Sequence, residues 1–310
     1  MIPRVSHLAL LLTLAAGPGC SLKTLAVNTV ADTLSESGDT FTRDDDPDLV
    51  GDAVPFALKL QESLLESVPR HDGLLLTTCS GFTQYAYAFV QVEAEILEPT
   101  DYEAASRLKE RARRLYLRGR GYCLRALELK RRGILQQLQL DPARALDWAE
   151  RKDVPLLYWT GASWGAAIAV GLDRPDLVAD LPAVRALMER ALELQEDYDG
   201  GAIHAIMISL EALPPAMGGS PERARKHFER AVALSKGTDP GPYVTMAASV
   251  AVPAQNRAEF VKLLEQALAI DPDSNPSRRL PALIAQKRAR HLLSRVDELF
   301  IPEAPEEAGR

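Results

Sequence analysis

Few residues in this chain are spaced for catalysis. Gly161-Ala162-Ser163-Trp164-Gly165 matches G-x-S-x-G, the strand-to-helix nucleophile elbow of α/β-hydrolases, and Val154–Thr160 could supply the preceding strand. Such a serine needs a parallel sheet, a downstream acid and histidine, and an oxyanion loop. His204, His227 and His291 do follow, but each falls on a predicted helix, and no other segment has a strand pattern. The competing reading of this motif is small residues that let helices pack closely. No catalytic residue is therefore assigned, and a serine hydrolase is the alternative to a non-enzymatic chain. The sequence holds 5 histidines and 3 cysteines, with no pair at metal-ligand spacing. No glycine-rich phosphate loop follows a strand, so neither metal nor cofactor is expected.

Three further groups have an alternative to chemistry. Asp44-Asp45-Asp46-Pro47-Asp48 could face calcium, but no EF-hand spacing follows. Acidic residues before a proline instead suit a helix start, where they complement the helix dipole. Arg4, the apolar run 8–16 and the small residues Gly17-Pro18-Gly19 precede Cys20, the pattern of a bacterial lipoprotein signal with Cys20 as the acylated residue. Gly17 stands where that pattern prefers leucine. The apolar run is too short to span about 30 Å of hydrocarbon. Cys79 and Cys123 remain. Export permits a disulfide, but each lies on a predicted helix, where a cysteine reads as a small buried apolar residue. Pairing depends on a geometry that spacing does not show.

Candidate binding residues lie on two uncharged stretches. Phe82, Gln84, Tyr85, Tyr87 and Phe89 crowd 73–92, and Trp159 and Trp164 lie in 154–172. Aromatic groups with a few polar neighbours suit an apolar ligand pocket or a partner's anchor side chains, and the competing reading is core. Both stretches carry too many small and polar residues for lipid-facing helices. Residues 107–132 carry eleven Lys and Arg against two Glu. That face reads as a solvated flank pairing with an acidic remainder, with anion or membrane-surface binding as the alternative.

The elements that must position these residues are helices. Uncharged segments alternate with charged amphipathic ones: 154–172 with 182–196, 200–210 with 221–236, and 240–256 with 257–270. Ala224, Phe228 and Ala231, followed by Pro240, resemble the second half of a tetratricopeptide (TPR) unit. Related helix ends recur at 191–194, 231–234 and 267–270, spacings longer and less regular than TPR units. A helical hairpin cannot bury its apolar face alone and must stack on a neighbour. The expected fold is all-α, a TPR-like helical-hairpin solenoid with an N-terminal lipoprotein signal and a C-terminal capping helix over 280–300. Its inner face is expected to be nearly free of Lys and Arg. A short helix is predicted over 142–151. The expected organisation is a signal peptide 1–19, a lipidated tether 20–43 with a short helix around 25–34, the helical domain 44–300 and a flexible tail 301–310. A net charge of -7 argues against nucleic acid as a partner.

Four separated segments resemble the TatT family, the TPR-like lipoprotein T component associated with TRAP (tripartite ATP-independent periplasmic) transporters. They are Asp44-Asp45-Asp46-Pro47 with Pro55-Phe56-Ala57-Leu58-Lys59; residues 81–91; residues 111–118; and Gln286-Lys287-Arg288-Ala289-Arg290 through Phe300. The resemblance spans about 44–300. It implies a non-enzymatic envelope protein on the periplasmic side of a membrane, held by its lipid anchor alone. Its implied partner is the periplasmic solute-binding subunit, with a small apolar or organic-acid ligand and homo-oligomers as further expectations. A general TPR interaction scaffold of the outer membrane is the other non-enzymatic reading.

Overall fold

The computed structural model describes residues 20–36 and 39–302. The signal segment 1–19 and residues 303–310 of the expected tail lie outside the described residues. The chain is all-α, 79% helical, with no strand among the described residues. Helix α1 spans Cys20–Glu36, longer than the short helix expected in the tether, and its Ala31 is fully buried. Helix α2 spans Pro47–Ser67 and starts as its acidic run predicts. The Asp46 carboxylate accepts from the backbone N–H groups of Asp48 and Leu49 at 3.1 and 3.0 Å, with Pro47 in the first turn.

Helix α3 begins at Asp72–Ala86, passes through a π-helical turn at Tyr87–Gln91 and ends as Val92–Leu97. Helix α4, Tyr102–Lys130, lies along it. The two come close because Gly119 has no side chain: a Cβ there would sit 3.0 Å from the Cys79 carbonyl oxygen. Cys79 and Cys123 are joined by a disulfide with Cα atoms 5.5 Å apart. This corrects the reading of two separate apolar residues. Both are buried, as expected, but the glycine contact brings the helices within bridging distance.

Helix α5 spans Ile134–Leu140, and the helix predicted over 142–151 does not form. Two short 3-10 turns, Arg144–Leu146 and Arg151–Asp153, take its place. The helical hairpins follow. Helix α6 (Val154–Ala169) packs on α7 (Leu181–Leu194), and α8 (Ala202–Glu211) packs on α9 (Pro221–Leu234). Helix α10 (Gly241–Met246, continued by a π-helical turn Ala247–Ala251) packs on α11 (Arg257–Ala269). Buried hydroxyls on the uncharged helices bond back one turn. Thr78, Thr83 and Thr160 donate to the carbonyls of Leu74, Cys79 and Leu156 at 2.6–2.8 Å, so these helices can be buried all round.

Helix α12, Arg279–Ser294, covers α11 with one side and returns to the start of the chain with another. The expected continuous helix breaks at Arg295, and Val296–Leu299 forms a separate turn. Leu280 and Ile284 pack with Val50 of α2 and Val92 of α3. Lys287 pairs with Glu93, Arg288 with Glu95, and Arg279 donates to the Arg43 carbonyl at 3.3 Å. The chain thus closes on itself.

The disulfide closes a loop with a sequence separation of 44. Reduction, or Cys123→Ser, is expected to cost about 2–4 kcal/mol, chiefly by freeing the unfolded chain. Denaturant titration of the oxidised and reduced protein checks this; equal midpoints would show that the bridge contributes nothing.

Candidate functional site

The α3–α12 contact builds a polar belt. At the π-helical turn one extra residue in the helical circuit shifts the side chains that follow, a feature frequent at functional sites. The Tyr116 hydroxyl, fully buried on α4, donates to Gln91 Oε1 at 2.6 Å, and Gln91 Nε2 donates to Glu95 Oε1 at 3.1 Å. Glu95 Oε2 accepts from Arg288 Nε at 2.6 Å. Burial opposes the charge on Arg288, but Glu95 and the Tyr87 hydroxyl hold it protonated, with its pKa above the ordinary arginine value. Burial pushes the Tyr87 and Tyr116 phenols up, against the pull of Arg288. Tyr87 is 37% exposed, and its hydroxyl hydrogen-bonds with Arg288.

A second cluster forms where loops meet α6. Arg278 reaches Asp199 Oδ2 at 2.6 Å and Asp239 Oδ2 at 3.2 Å. Tyr158 packs against Tyr198 and Trp159, with ring centroids 5.1 and 5.0 Å apart. Burial first, then Asp199, pushes the Tyr198 hydroxyl up to about 12. The uncharged helices are therefore not matched by an uncharged surround. The stretch from Arg278 to Arg288, distant in sequence, brings two arginines against them.

The seven candidate residues do not gather in one pocket. Phe82 and Trp164 are 4% exposed. Phe82 stacks on Tyr122, and Trp164 donates through Nε1 to Asp180 at 3.1 Å beneath the Arg120 guanidinium. Tyr85 and Phe89 pair at 5.6 Å, with Arg111 over Tyr85. Gln84 is exposed. Tyr87 joins the α3–α12 belt and Trp159 joins the Arg278 cluster. The side chain of Cys20 lies outside the described residues.

None of Arg278, Arg288, Glu95, Asp199 and Asp239 is a candidate site residue by sequence, although Arg288 lies in a segment that carries the family resemblance. Their pairings span 39 to 193 positions, and each residue alone resembles an ordinary surface charge. The basic face of α4 is largely paired with acids. Arg113 meets Glu110 and Lys109 meets Glu98, both at 2.5 Å, and Lys130 meets Asp153 at 3.1 Å. Arg118 binds Glu62, which is 8% exposed. Burial raises the Glu62 pKa, but hydrogen bonds from Lys59, Tyr122 and Arg118 outweigh it and hold the carboxyl below its usual range.

The hydrolase motif lies in the middle of α6. Ser163 is fully buried and donates to the Thr160 carbonyl at 3.0 Å. A Cβ at Gly161 would fall 2.7 Å from Met188 Cε, so the motif's small residues do ease helix packing. His204 and His227 meet with Nδ1 atoms 2.7 Å apart, too close for a metal between them, since two Zn–N bonds of about 2.0 Å at tetrahedral angles need over 3 Å. Among the described residues no group of three or more His, Cys, Asp or Glu could hold a metal.

Two measurements probe these clusters. Arg288 and Glu95 are 17% and 23% exposed, so removing one partner leaves a half-buried charge unpaired, and Arg288→Met or Glu95→Gln is expected to cost about 1–3 kcal/mol. The double variant should cost less than the sum of the two; additive losses in chemical denaturation would show that the pair is uncoupled. Burial lowers the pKa of both His204 and His227 below 6.5, with Glu196 opposing it at His204 and the His204 charge adding to it at His227. Glu211, Arg223, Arg185 and Arg230 are the other charges acting on the pair. Below about pH 6.5 the unfolded chain takes up protons that the folded chain resists. Their stabilising contribution is therefore complete above that pH and is lost as pH falls through the folded values. Melting temperature should drop between pH 7.5 and 5.5, before the carboxylates titrate, and His227→Gln should flatten that slope.

A protein of Treponema pallidum (strain Nichols), described only as uncharacterized, is 35% identical over 305 residues, covering 91% of this chain and 94% of the relative. The family model for the TRAP transporter T-component matches residues 43–300, from the turn before α2 through the last helical turn. This chain belongs to the TRAP transporter T-component family.

Proposed function

We propose that this chain is a non-enzymatic, lipid-anchored envelope protein. In this reading it is a TPR-like scaffold that docks on the periplasmic solute-binding subunit of a TRAP-type transporter and handles a small organic ligand. The observation that carries the proposal is the family match over 43–300. Helix packing supports the repeat reading. Ala224 and Ala231 are fully or almost fully buried, and Phe228 packs edge-on against Tyr243 at 5.2 Å, so small and aromatic positions join successive hairpins. The buried Ser163 hydroxyl, bonded to its own helix, supports a non-enzymatic role.

No described helix is long and apolar enough to cross a membrane, so the proposed attachment is the acyl group on Cys20. The outer side of α2 offers a docking surface. Leu49, Phe56 and Leu60 lie at i, i+7 and i+11 and are 58%, 75% and 39% exposed. An apolar stripe on a helix otherwise packed into the body suits a protein partner, whether the solute-binding subunit or a second copy.

Co-purification from envelope fractions tests this reading. The native chain should be recovered with membranes and carry an acylated Cys20 by mass spectrometry, and Cys20→Ala should lose the acyl group. The solute-binding subunit should co-purify with the native chain. Phe56→Asp should weaken capture at least ~10-fold with unchanged circular dichroism, because an anchor residue typically contributes more than ~2 kcal/mol. A native chain that is unacylated, or that brings down no solute-binding subunit, would overturn the proposal.

A further inference from the structure

Three loops converge at one rim of the molecule: 195–201 between α7 and α8, 235–240 between α9 and α10, and 270–278 between α11 and α12. They enclose a cleft of about 300 Å³ whose walls include Asp199, Lys236, Thr238, Asp239, Asn275 and Arg278. That volume is at the lower end for small-molecule sites. Two of the three non-glycine residues with positive φ among the described residues flank it, Asp199 at 45° and Lys236 at 55°. Such conformations persist only where the surroundings enforce them.

The polar atoms of the cleft divide into those already satisfied and those left open. Arg278 is committed to Asp199 and Asp239, and the other oxygen of Asp239 accepts from the Gly241 N–H at 2.8 Å. These groups form the wall. The hydroxyls of Thr238 and Ser274 donate to the carbonyls of Ser235 and Asp271 at 2.7 and 2.6 Å, which leaves them only acceptor capacity. Three groups keep open valences among the described residues, and two of them, Lys236 and Asp199, are exposed to solvent. The Lys236 ammonium has no hydrogen-bond or ion-pair partner among the described residues. Asn275 accepts from Ser277 through its oxygen at 2.7 Å, and its amide nitrogen is unused. Asp199 gives only Oδ2 to Arg278, and its second oxygen takes no hydrogen bond.

Lys236 and Arg278 balance Asp199 and Asp239, so the cleft carries no net charge. A bare anion would gain Lys236 but face Asp199, and a bare cation would meet the reverse. A ligand carrying both charges uses both open groups. We propose that this cleft binds a small zwitterion, an α-amino acid with a short side chain. Its carboxylate lies on Lys236 and Asn275, and its ammonium on Asp199. Charge-assisted hydrogen bonds at both ends select it over either half. The proposal deepens the ligand-handling reading above, on which its physiological meaning rests.

Isothermal titration of the purified full chain tests the site. The probes are L-alanine, propanoate, which lacks the ammonium, and ethylamine, which lacks the carboxylate. L-alanine should bind at least ~10-fold more tightly than either analogue, the discrimination expected when a charged group goes unpaired. Lys236→Asn removes the ammonium while keeping a residue that tolerates positive φ, and it should weaken L-alanine binding ~10-fold or more. Asp199→Asn should do the same, and Asn275→Ala should weaken binding to a smaller extent. Asp199→Asn also disturbs Arg278, so the decision falls to Lys236→Asn, which breaks no contact to another side chain. Absence of heat with millimolar L-alanine, equal binding of propanoate or ethylamine, or unchanged affinity in Lys236→Asn would each overturn the site. The titration uses this chain alone, so its failure is distinct from a failure to capture the solute-binding subunit.

Discussion

Residues 73–92 and 154–172 have no charged side chain, and so no face that water solvates well. The helices packed around them cover most of both stretches. Helix α6 is buried almost along its whole length, between α4 on one side and α7 on another. The Thr160 and Ser163 hydroxyls are satisfied within the helix, so close packing does not strand them. Small residues at the crossings let the backbones approach, and at the α3–α4 crossing the approach is close enough for a covalent bridge.

Covering α3 takes more than its sequence neighbours. Its C-terminal half would be open if the hairpins simply stacked away from it. Helix α12 returns to that half, and its apolar residues Leu280 and Ile284 fill the space against Val50 and Val92. Closure also brings Arg288 into a position from which it cannot reach bulk water freely. Glu95 and Tyr87 answer that charge, and Gln91 and Tyr116 extend the network to α4. The π-helical turn at Tyr87–Gln91 lies where these partners converge. The same logic holds at Arg278, whose charge is met by carboxylates from two different loops.

These two arginines change what the interior can recognise. Uncharged, aromatic-rich helices alone suggest a purely apolar ligand. With Arg278 and Arg288 fixed among carboxylates and tyrosines, the molecule also offers oriented polar groups near aromatic faces. The family assignment places the chain with a transport system, and small polar molecules and a protein partner make different demands on such a surface. In the proposed reading, the exposed stripe on α2 takes the protein and the loop cleft at Arg278 takes the small molecule.

The sequence by itself determined the class of fold and most helix boundaries. The alternation of uncharged and amphipathic segments, the cap at Asp46 and the Ala-Phe-Ala spacing of α9 are local or periodic signals, and local hydrogen bonding enforces them. It also weighed against a nucleophile at Ser163, because no strand pattern accompanied the motif. Where local signals were weak, over 142–151, the helix expected there did not form, and short turns carried the chain instead. Only the tertiary structure decided the Cys79–Cys123 bridge, the return of α12 to α3 and the two arginine clusters. A disulfide needs a particular separation between two helices, and an ion pair needs two charges to meet across as many as 193 positions. Neither is encoded in any window of the chain. Both follow only once the buried helices have found their cover and every charge carried inside has been answered.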